Sequence, residues 1–206
     1  MTKPTTIDFC PVTPERWPEF AKLFGKRGAC GGCWCMWWRL KRSDFERRKG
    51  DSNKRAMKRI ITNGRVPGIL ALVDGEPIGW CSIAPREEFP ALERSRILKP
   101  VDDLPVWTIV CLFVASHYRN MGVSQQLLKA AVSYAQSSGA LIVEGYPFDL
   151  TGRKSPLPGA FVWTGLVSAY RKAGFKEVAR RSPTRPIMRC YLKSKCRKTK
   201  QAATNV

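Results

Sequence analysis

The sequence predicts an α/β protein in which helices flank a sheet, and three observations carry that prediction. Residues 69–73 and 78–83 are apolar runs on either side of an Asp74-Gly75 turn, the pattern of a hairpin. Residues 106–114 form a nearly unbroken apolar run, too continuous for a strand with one wet face, so it reads as a central strand covered on both sides. Residues 121–138 place Val123, Leu127, Leu128, Ala131, Val132 and Ala135 on one stripe at helical spacing.

The remaining elements follow along the chain. Thr13 can cap a helix that has Pro14 at its first position and Glu15 in its first turn, and this helix stops near Gly25. A glycine-rich turn then leads into Cys30, Cys33, Cys35 and a dense aromatic stretch containing Trp34, Trp37 and Trp38. Ser43 and Glu46 have the form of a capping box. Asp51-Ser52-Asn53 can cap another helix, which ends at Asn63-Gly64. After the hairpin, residues 85–105 are a polar, irregular crossing. Strand 106–114 turns through residues 115–120 into helix 121–138, which Gly139 stops. Residues 140–146 read as a strand, 147–158 as a proline-bearing loop, 161–173 as a helix stopped by Gly174, and 175–179 and 185–192 as the last strands. Residues 193–206 form a basic, small-residue tail.

Composition narrows the class of protein. The 206 residues are 44% hydrophobic and 25% charged, an ordinary globular mix that excludes wholesale disorder. No apolar run approaches the roughly 18–20 residues of a membrane span, and the N-terminus lacks an apolar signal core, so a cytoplasmic protein is expected. Thirty-six Lys and Arg against sixteen Asp and Glu leave a net charge of +20. Such an excess calls for an anionic partner: a nucleic acid, a membrane surface or a phosphate-rich ligand. Eight cysteines without a signal peptide suggest free thiols. Cys30 and Cys33 have the spacing of a zinc half-site, but no second pair exists to complete it, and no metal is expected.

A buried strand that turns sharply into a helix is an anion-binding arrangement, because the first helical amides lack partners and the helix dipole favours negative charge there. Here the stretch is Val114 through Ser124, with Gly122 in the turn. Gly122 alone fits an ordinary strand–helix turn equally well. The whole stretch, however, resembles the acetyl-CoA signature of the GNAT superfamily of N-acetyltransferases: Arg or Gln, two residues, Gly, one residue, then Gly or Ala, after the fourth strand. Arg119 and Gly122 match its first two anchors; Ser124 departs from Gly or Ala but is small. Downstream, Tyr170-Arg171-Lys172-Ala173-Gly174-Phe175 resembles the family's Tyr-x-x-x-Gly-Phe segment, and the Asp74-Gly75 hairpin resembles its second and third strands. The resemblance spans roughly residues 69–192.

The resemblance implies a mixed, mostly antiparallel sheet of about six or seven strands, split between strands 4 and 5. It implies one domain over residues 1–192, with helices 13–64 covering the acceptor side and 68–192 forming the sheet and cofactor core. Acetyl-CoA is the implied acyl donor, its pantetheine arm against Leu112, Phe113 and Val114 and its pyrophosphate on Arg119, Asn120, Met121, Gly122, Val123 and Ser124. Arg153, Lys154 and Lys172 are further bases for its phosphates. Tyr170 stands at the position of the family's general acid, or packs under the last strand. Glu144 is the candidate base, or a solvated strand-end carboxylate; Glu87, Glu88, Asp103 and Asp149 are further acids on loops. His117, the one histidine, lies in the phosphate turn. Trp34, Trp37 and Trp38 line the acceptor pocket, or fill the core under the basic helices. The expected activity is direct attack of a primary amine of a small molecule or protein on the thioester, by a monomer or homodimer. Two alternatives stay open: a basic nucleic-acid-associated protein, which no binding motif supports, and a CoA-binding relative without turnover.

Overall fold

In the computed structural model the described residues are 6–152 and 162–193. Seven strands form one sheet: β1 (Asp8–Pro11), β2 (Gly68–Val73), β3 (Glu76–Pro85), β4 (Trp107–Val114), β5 (Ile142–Gly145), β6 (Lys176–Arg180) and β7 (Pro186–Tyr191). Their order is β1-β2-β3-β4-β5-β7-β6. Each neighbouring pair is antiparallel except β4–β5, which is parallel. The helices are α1 (Trp17–Phe24), α2 (Arg42–Arg47), α3 (Asp51–Thr62), α4 (Val123–Ser137) and α5 (Val167–Lys172). A parallel pair needs a crossover, and α4 supplies it between β4 and β5.

The predicted hairpin is present. Asp74 and Gly75 both adopt positive φ, +50 and +76, the pair of left-handed residues that a two-residue turn matched to strand twist requires. Side chains alternate across the sheet and build a core on each face. Ile69, Ala71, Ile78 and Cys81 meet Leu127, Leu128 and Ala131 of α4 and Tyr170 of α5 on one face. On the other, Leu70 and Trp80 meet Phe20, Phe24, Trp34, Met57 and Ile61 of the N-terminal segments. Each fully buried apolar side chain contributes about 1.5–3 kcal/mol relative to an exposed one.

The structure adds one strand that the sequence did not signal and shortens one expected helix. β1 lies in a stretch with no strand pattern of its own. It is a four-residue edge strand ending in a proline, held by its register on β2 (Phe9 opposite Ala71). The helix expected over residues 161–173 is regular only from Val167, because Gly165 sits at φ +84 and Leu166, extended, is the N-cap. Phe161, Arg153, Lys154, Cys196 and the tail beyond residue 193 lie outside the described residues.

Candidate active site

β4 ends at Val114 and passes through a single 3-10 turn, Ser116–Tyr118, into α4. Between them Asn120 and Gly122 adopt φ +62 and +79, with Gly122 as the N-cap. Alternating left-handed residues point successive amides the same way, which makes an anion-binding concavity. Among the described residues, the amides of Asn120, Met121, Gly122, Val123 and Ser124 donate to no other protein group. The first later amides to close the helix, Gln125 and Gln126, donate to the Gly122 carbonyl. A Cβ added at Gly122 would meet nothing within 4 Å, so the space above these amides is open and the fold itself needs glycine there only for its φ. Arg119 donates from Nε to the Val114 carbonyl at 3.0 Å, bracing the turn against the end of its own strand. His117 and Lys172 are exposed. The concavity, its dipole and its open approach fit a pyrophosphate.

Beside this turn the sheet opens. β4 and β5 pair only from Trp107–Val143 to Ile109–Gly145; β5 then stops while β4 continues for five residues. Along the freed edge the backbone alternates. Phe113, opposite Trp80, and Ala115, whose amide donates to Ile78, turn toward β3, whereas Leu112 and Val114 turn toward the opening. Phe113 therefore presents its backbone to β3 rather than to the split. The Leu112 amide donates to the Trp163 carbonyl at 2.7 Å, so residues 162–166 lie across the gap.

Tyr170 of α5 stands under that crossing, wholly buried, and its hydroxyl has no hydrogen-bond partner among the described residues. Two glycines make room for the phenol: a Cβ on Gly145 would lie 2.8 Å from its oxygen, and one on Gly165 would lie 3.0 Å from its ring. Burial pushes its pKa well above 10, so it is fully protonated at neutral pH. Arg185, just before β7, lies over the Phe148 ring at 4.2 Å, and its Nε and Nη2 are buried without partners. Burial pulls this guanidinium down to about 10, with Tyr170 acting in the opposite direction. The Thr164 hydroxyl is likewise buried and unpartnered.

Glu144 is neither solvated nor free. It is wholly buried on β5, with one oxygen 2.7 Å from Arg189 Nε and the other accepting from the Tyr146 hydroxyl at 2.7 Å and from Arg86 at 3.4 Å. Arg189 also forks onto Asp102 at 2.6 and 3.0 Å, and Arg86 onto Glu93 and the Leu98 carbonyl. Two cations and a phenol thus occupy the carboxylate, which ties the irregular crossing to β5 and β7. The other acids named from sequence divide between solvent and ion pairs. Glu87 and Asp103 are exposed, Glu88 pairs with Arg39 at 2.5 Å and Asp149 with Arg180 at 2.8 Å.

The tryptophans separate into two groups. Trp34 is 3% exposed and packs among Trp17, Phe20 and Phe24 in the core of the N-terminal layer. Trp37 and Trp38 instead meet Trp163, at 6.3 and 5.8 Å between rings, beside the freed edge of β4. The Trp38 indole nitrogen is buried without a partner. Cys35 is buried against β3 and β4, accepting from Trp80 Nε1 at 3.4 Å. Among the described residues no group of three or more His, Cys, Asp or Glu is placed to hold a metal ion.

Trp163, Thr164 and Arg185 went unnoticed in the sequence. Trp163 follows a proline-bearing loop and Arg185 sits in a Thr-Arg-Pro turn, and neither pattern signals chemistry before the fold brings them to Tyr170.

A profile of the Acetyltransferase (GNAT) family matches residues 34–146. No curated protein matches the chain. Among solved structures, the PaiA N-acetyltransferase from Thermoplasma acidophilum in complex with coenzyme A superposes with a TM-score of 0.50 at 16% identity, covering 91% of this chain and 100% of its own. An acetyltransferase of the GNAT family from Listeria monocytogenes gives 0.54 at 10% identity, covering 90% and 95%. One from Streptococcus agalactiae gives 0.52 at 13%, covering 92% and 97%. At such identities the likeness is one of fold.

Proposed function

Since the chain belongs to the GNAT family of acetyltransferases, we propose that it is an acetyl-CoA-dependent N-acetyltransferase acting on a primary amine of a small molecule or protein. One observation carries the reading: five consecutive unpartnered amides, 120–124, stand at the end of a strand whose edge is freed from its neighbour, with a buried phenol beneath. The amides hold the pyrophosphate of CoA. The pantetheine arm follows the freed edge of β4, taking the Leu112 amide in place of the Trp163 carbonyl and passing Val114.

The amine attacks the thioester carbon directly, with both substrates bound. It must arrive neutral, although a lysine-type amine with pKa about 10.4 is almost wholly protonated at pH 7. As the carbon–nitrogen bond forms, the carbon–sulfur bond breaks and its electron pair goes to sulfur, which takes the Tyr170 proton, while the amide nitrogen sheds its surplus proton to water and the phenolate regains one from water. Glu144, held by two arginines, anchors β5 and β7 in this reading and is not the proton acceptor. Trp37, Trp38 and Trp163 wall the acceptor side, where aromatic faces exclude water and suit a cationic amine. Trp34 supports them from the core.

A thiol-release assay with acetyl-CoA against polyamines, aminoglycosides, amino acids and basic peptides tests the reading. Release with at least one acceptor, and thermal stabilisation by CoA, are expected. Tyr170→Phe lowers kcat on the order of 10²-fold or more with CoA affinity unchanged. Stabilisation by CoA without release from any acceptor would identify a binding protein without turnover, and neither response would end the acetyltransferase reading.

A further inference from the structure

A buried guanidinium without a counter-ion is costly, and its unfilled donors mark a place where an acceptor group belongs. Arg185, half-buried as a residue, is in that condition at Nε and Nη2 among the described residues, as are the Tyr170 and Thr164 hydroxyls. Phe148, whose amide donates to the Gly165 carbonyl, covers one face of the guanidinium and fixes its plane. Gly165 in turn lies against the Tyr170 ring. Pro186 restricts the backbone of Arg185 to extended conformations. The nearest loop carboxylate, Asp149, is taken up by Arg180. Arg185, Phe148, Gly165 and Tyr170 thus form one run of contacts, along which the guanidinium and the phenol have no acceptor among the described residues.

We propose that Arg185 is a second catalytic residue, which with Tyr170 stabilises the thiolate of CoA as it departs. The inference rests on the acetyltransferase reading above. It answers a difficulty in that reading. A phenol buried among apolar groups is a poor acid, held well above 10, whereas even a cysteine thiol titrates at about 8.5. Passing the phenol's proton to a thiolate is then uphill. A cation beside both groups favours the charged form of each, so it lowers the cost of the departing thiolate and of the phenolate left after transfer. The proton moves from Tyr170 Oη to sulfur, and the resulting phenolate stays paired with Arg185 until it regains a proton from water. The other titratable groups facing Tyr170 are Cys81 of β3, Cys111 of β4 and Tyr146. Cys81 and Tyr146 are held neutral by burial and Cys111 chiefly by its hydrogen bond to Cys35. Arg185 is therefore the charge that acts on this phenol. The Thr164 hydroxyl completes the set of donors.

The test is a titration of the thiol of CoA bound to the whole protein, followed in the thiolate ultraviolet band as the difference from the desulfo-CoA complex. In the unmodified protein the bound thiol is expected to titrate about one pH unit or more below free CoA measured alongside, with about tenfold more thiolate at a given pH. Arg185→Gln should return the titration to the free value or above and lower kcat on the order of 10²-fold, with CoA affinity preserved by the phosphate turn. Arg185→Lys, which keeps a charge on a different geometry, should fall between. Tyr170→Phe combined with Arg185→Gln should cost much less than the product of the single losses, since the two act as a unit. An unchanged thiol titration in both Arg185 variants, with CoA still bound, overturns the role of Arg185 and leaves the acetyltransferase reading intact. Failure of the unmodified protein to bind CoA overturns both.

Discussion

At Cys35 the backbone is left-handed, φ +56, directly after Trp34 at φ +46, where non-glycine residues pay roughly 1–2 kcal/mol each. The conformation lays the thiol under β3 and β4, where Trp80 donates to it and the half-buried Cys111, opposite Ser82, stands alongside. A hydrogen bond from Cys111, outweighing burial and joined by Ser82, Trp80 and the Arg39 charge, lowers the Cys35 thiol to about 7. Cys111 moves the opposite way, so the pair shares one proton and Cys111 keeps it. Cys33, two residues away, is pushed up to about 12 by its own burial. The sign for stability follows from the lowered value. The contribution of Cys35 is fully present above the ordinary thiol range near 9 and is lost as pH falls through about 7. The difference in thiolate absorbance between the unmodified protein and Cys35→Ser should show one group titrating near 7. Cys111→Ala and Trp80→Phe, each removing a donor, should move that midpoint upward. A difference spectrum flat below pH 8 would sink the assignment.

At the scale of elements, the split is shaped as much by glycines as by functional side chains. Gly145 ends β5 where a Cβ would lie 2.8 Å from the Tyr170 oxygen and against its ring. Gly145→Ala should therefore displace the phenol. A loss of about 1–3 kcal/mol, as for other overpacked cores, is expected from the denaturant midpoint, together with a fall in kcat. Unaltered stability and turnover would mean the ring is not confined there. The same elements show what could be read from the sequence. The hairpin, β4 and α4 were legible because turn chemistry, apolar continuity and helical spacing are local. The placement of residues 119–124 between β4 and α4, and of Tyr170 on α5, was legible because spacing set them on a recognisable strand–helix frame, and their roles remain proposals. β1 was not, since four residues ending in proline have no periodicity and their pairing with β2 is made across 60 residues of chain. Glu144 was misjudged because its partners Arg86 and Arg189 lie 58 and 45 residues away. Trp34 and Trp37 look alike in sequence and diverge only because the chain turns through two left-handed residues between them and the sheet. Arg185 is distinguished by donors that have no partner among the described residues, which sequence does not show.

For the whole molecule, the +20 charge exceeds what one nucleotide cofactor can use. Much of the excess is organised. Arg48, just after α2, and Ser52, Arg55 and Arg59 of α3 line one groove of about 200 Å³. Glu46 is committed to Arg42 and Lys49, and Asp44 to Arg47, leaving Asp51 at the start of α3 as the one nearby free acid among the described residues, and the three groove arginines have no ion-pair partner there. This groove belongs to the N-terminal layer, on the opposite face of the sheet from α4 and its phosphate turn. A stripe of unpaired guanidiniums should attract a phosphate backbone without sequence preference, and strongly so only at low salt. A mixed-sequence duplex oligonucleotide should bind with an affinity that falls linearly as log[salt] rises. Each phosphate contact contributes about 0.9 to that slope. Replacing Arg48, Arg55 and Arg59 together by Gln should reduce the slope by about 2–3, while stabilisation by CoA, proposed to rest on amides across the sheet, should stay the same. If the triple variant keeps the parent slope, the basic groove is a solvated surface and the excess charge acts only through the field of the molecule as a whole.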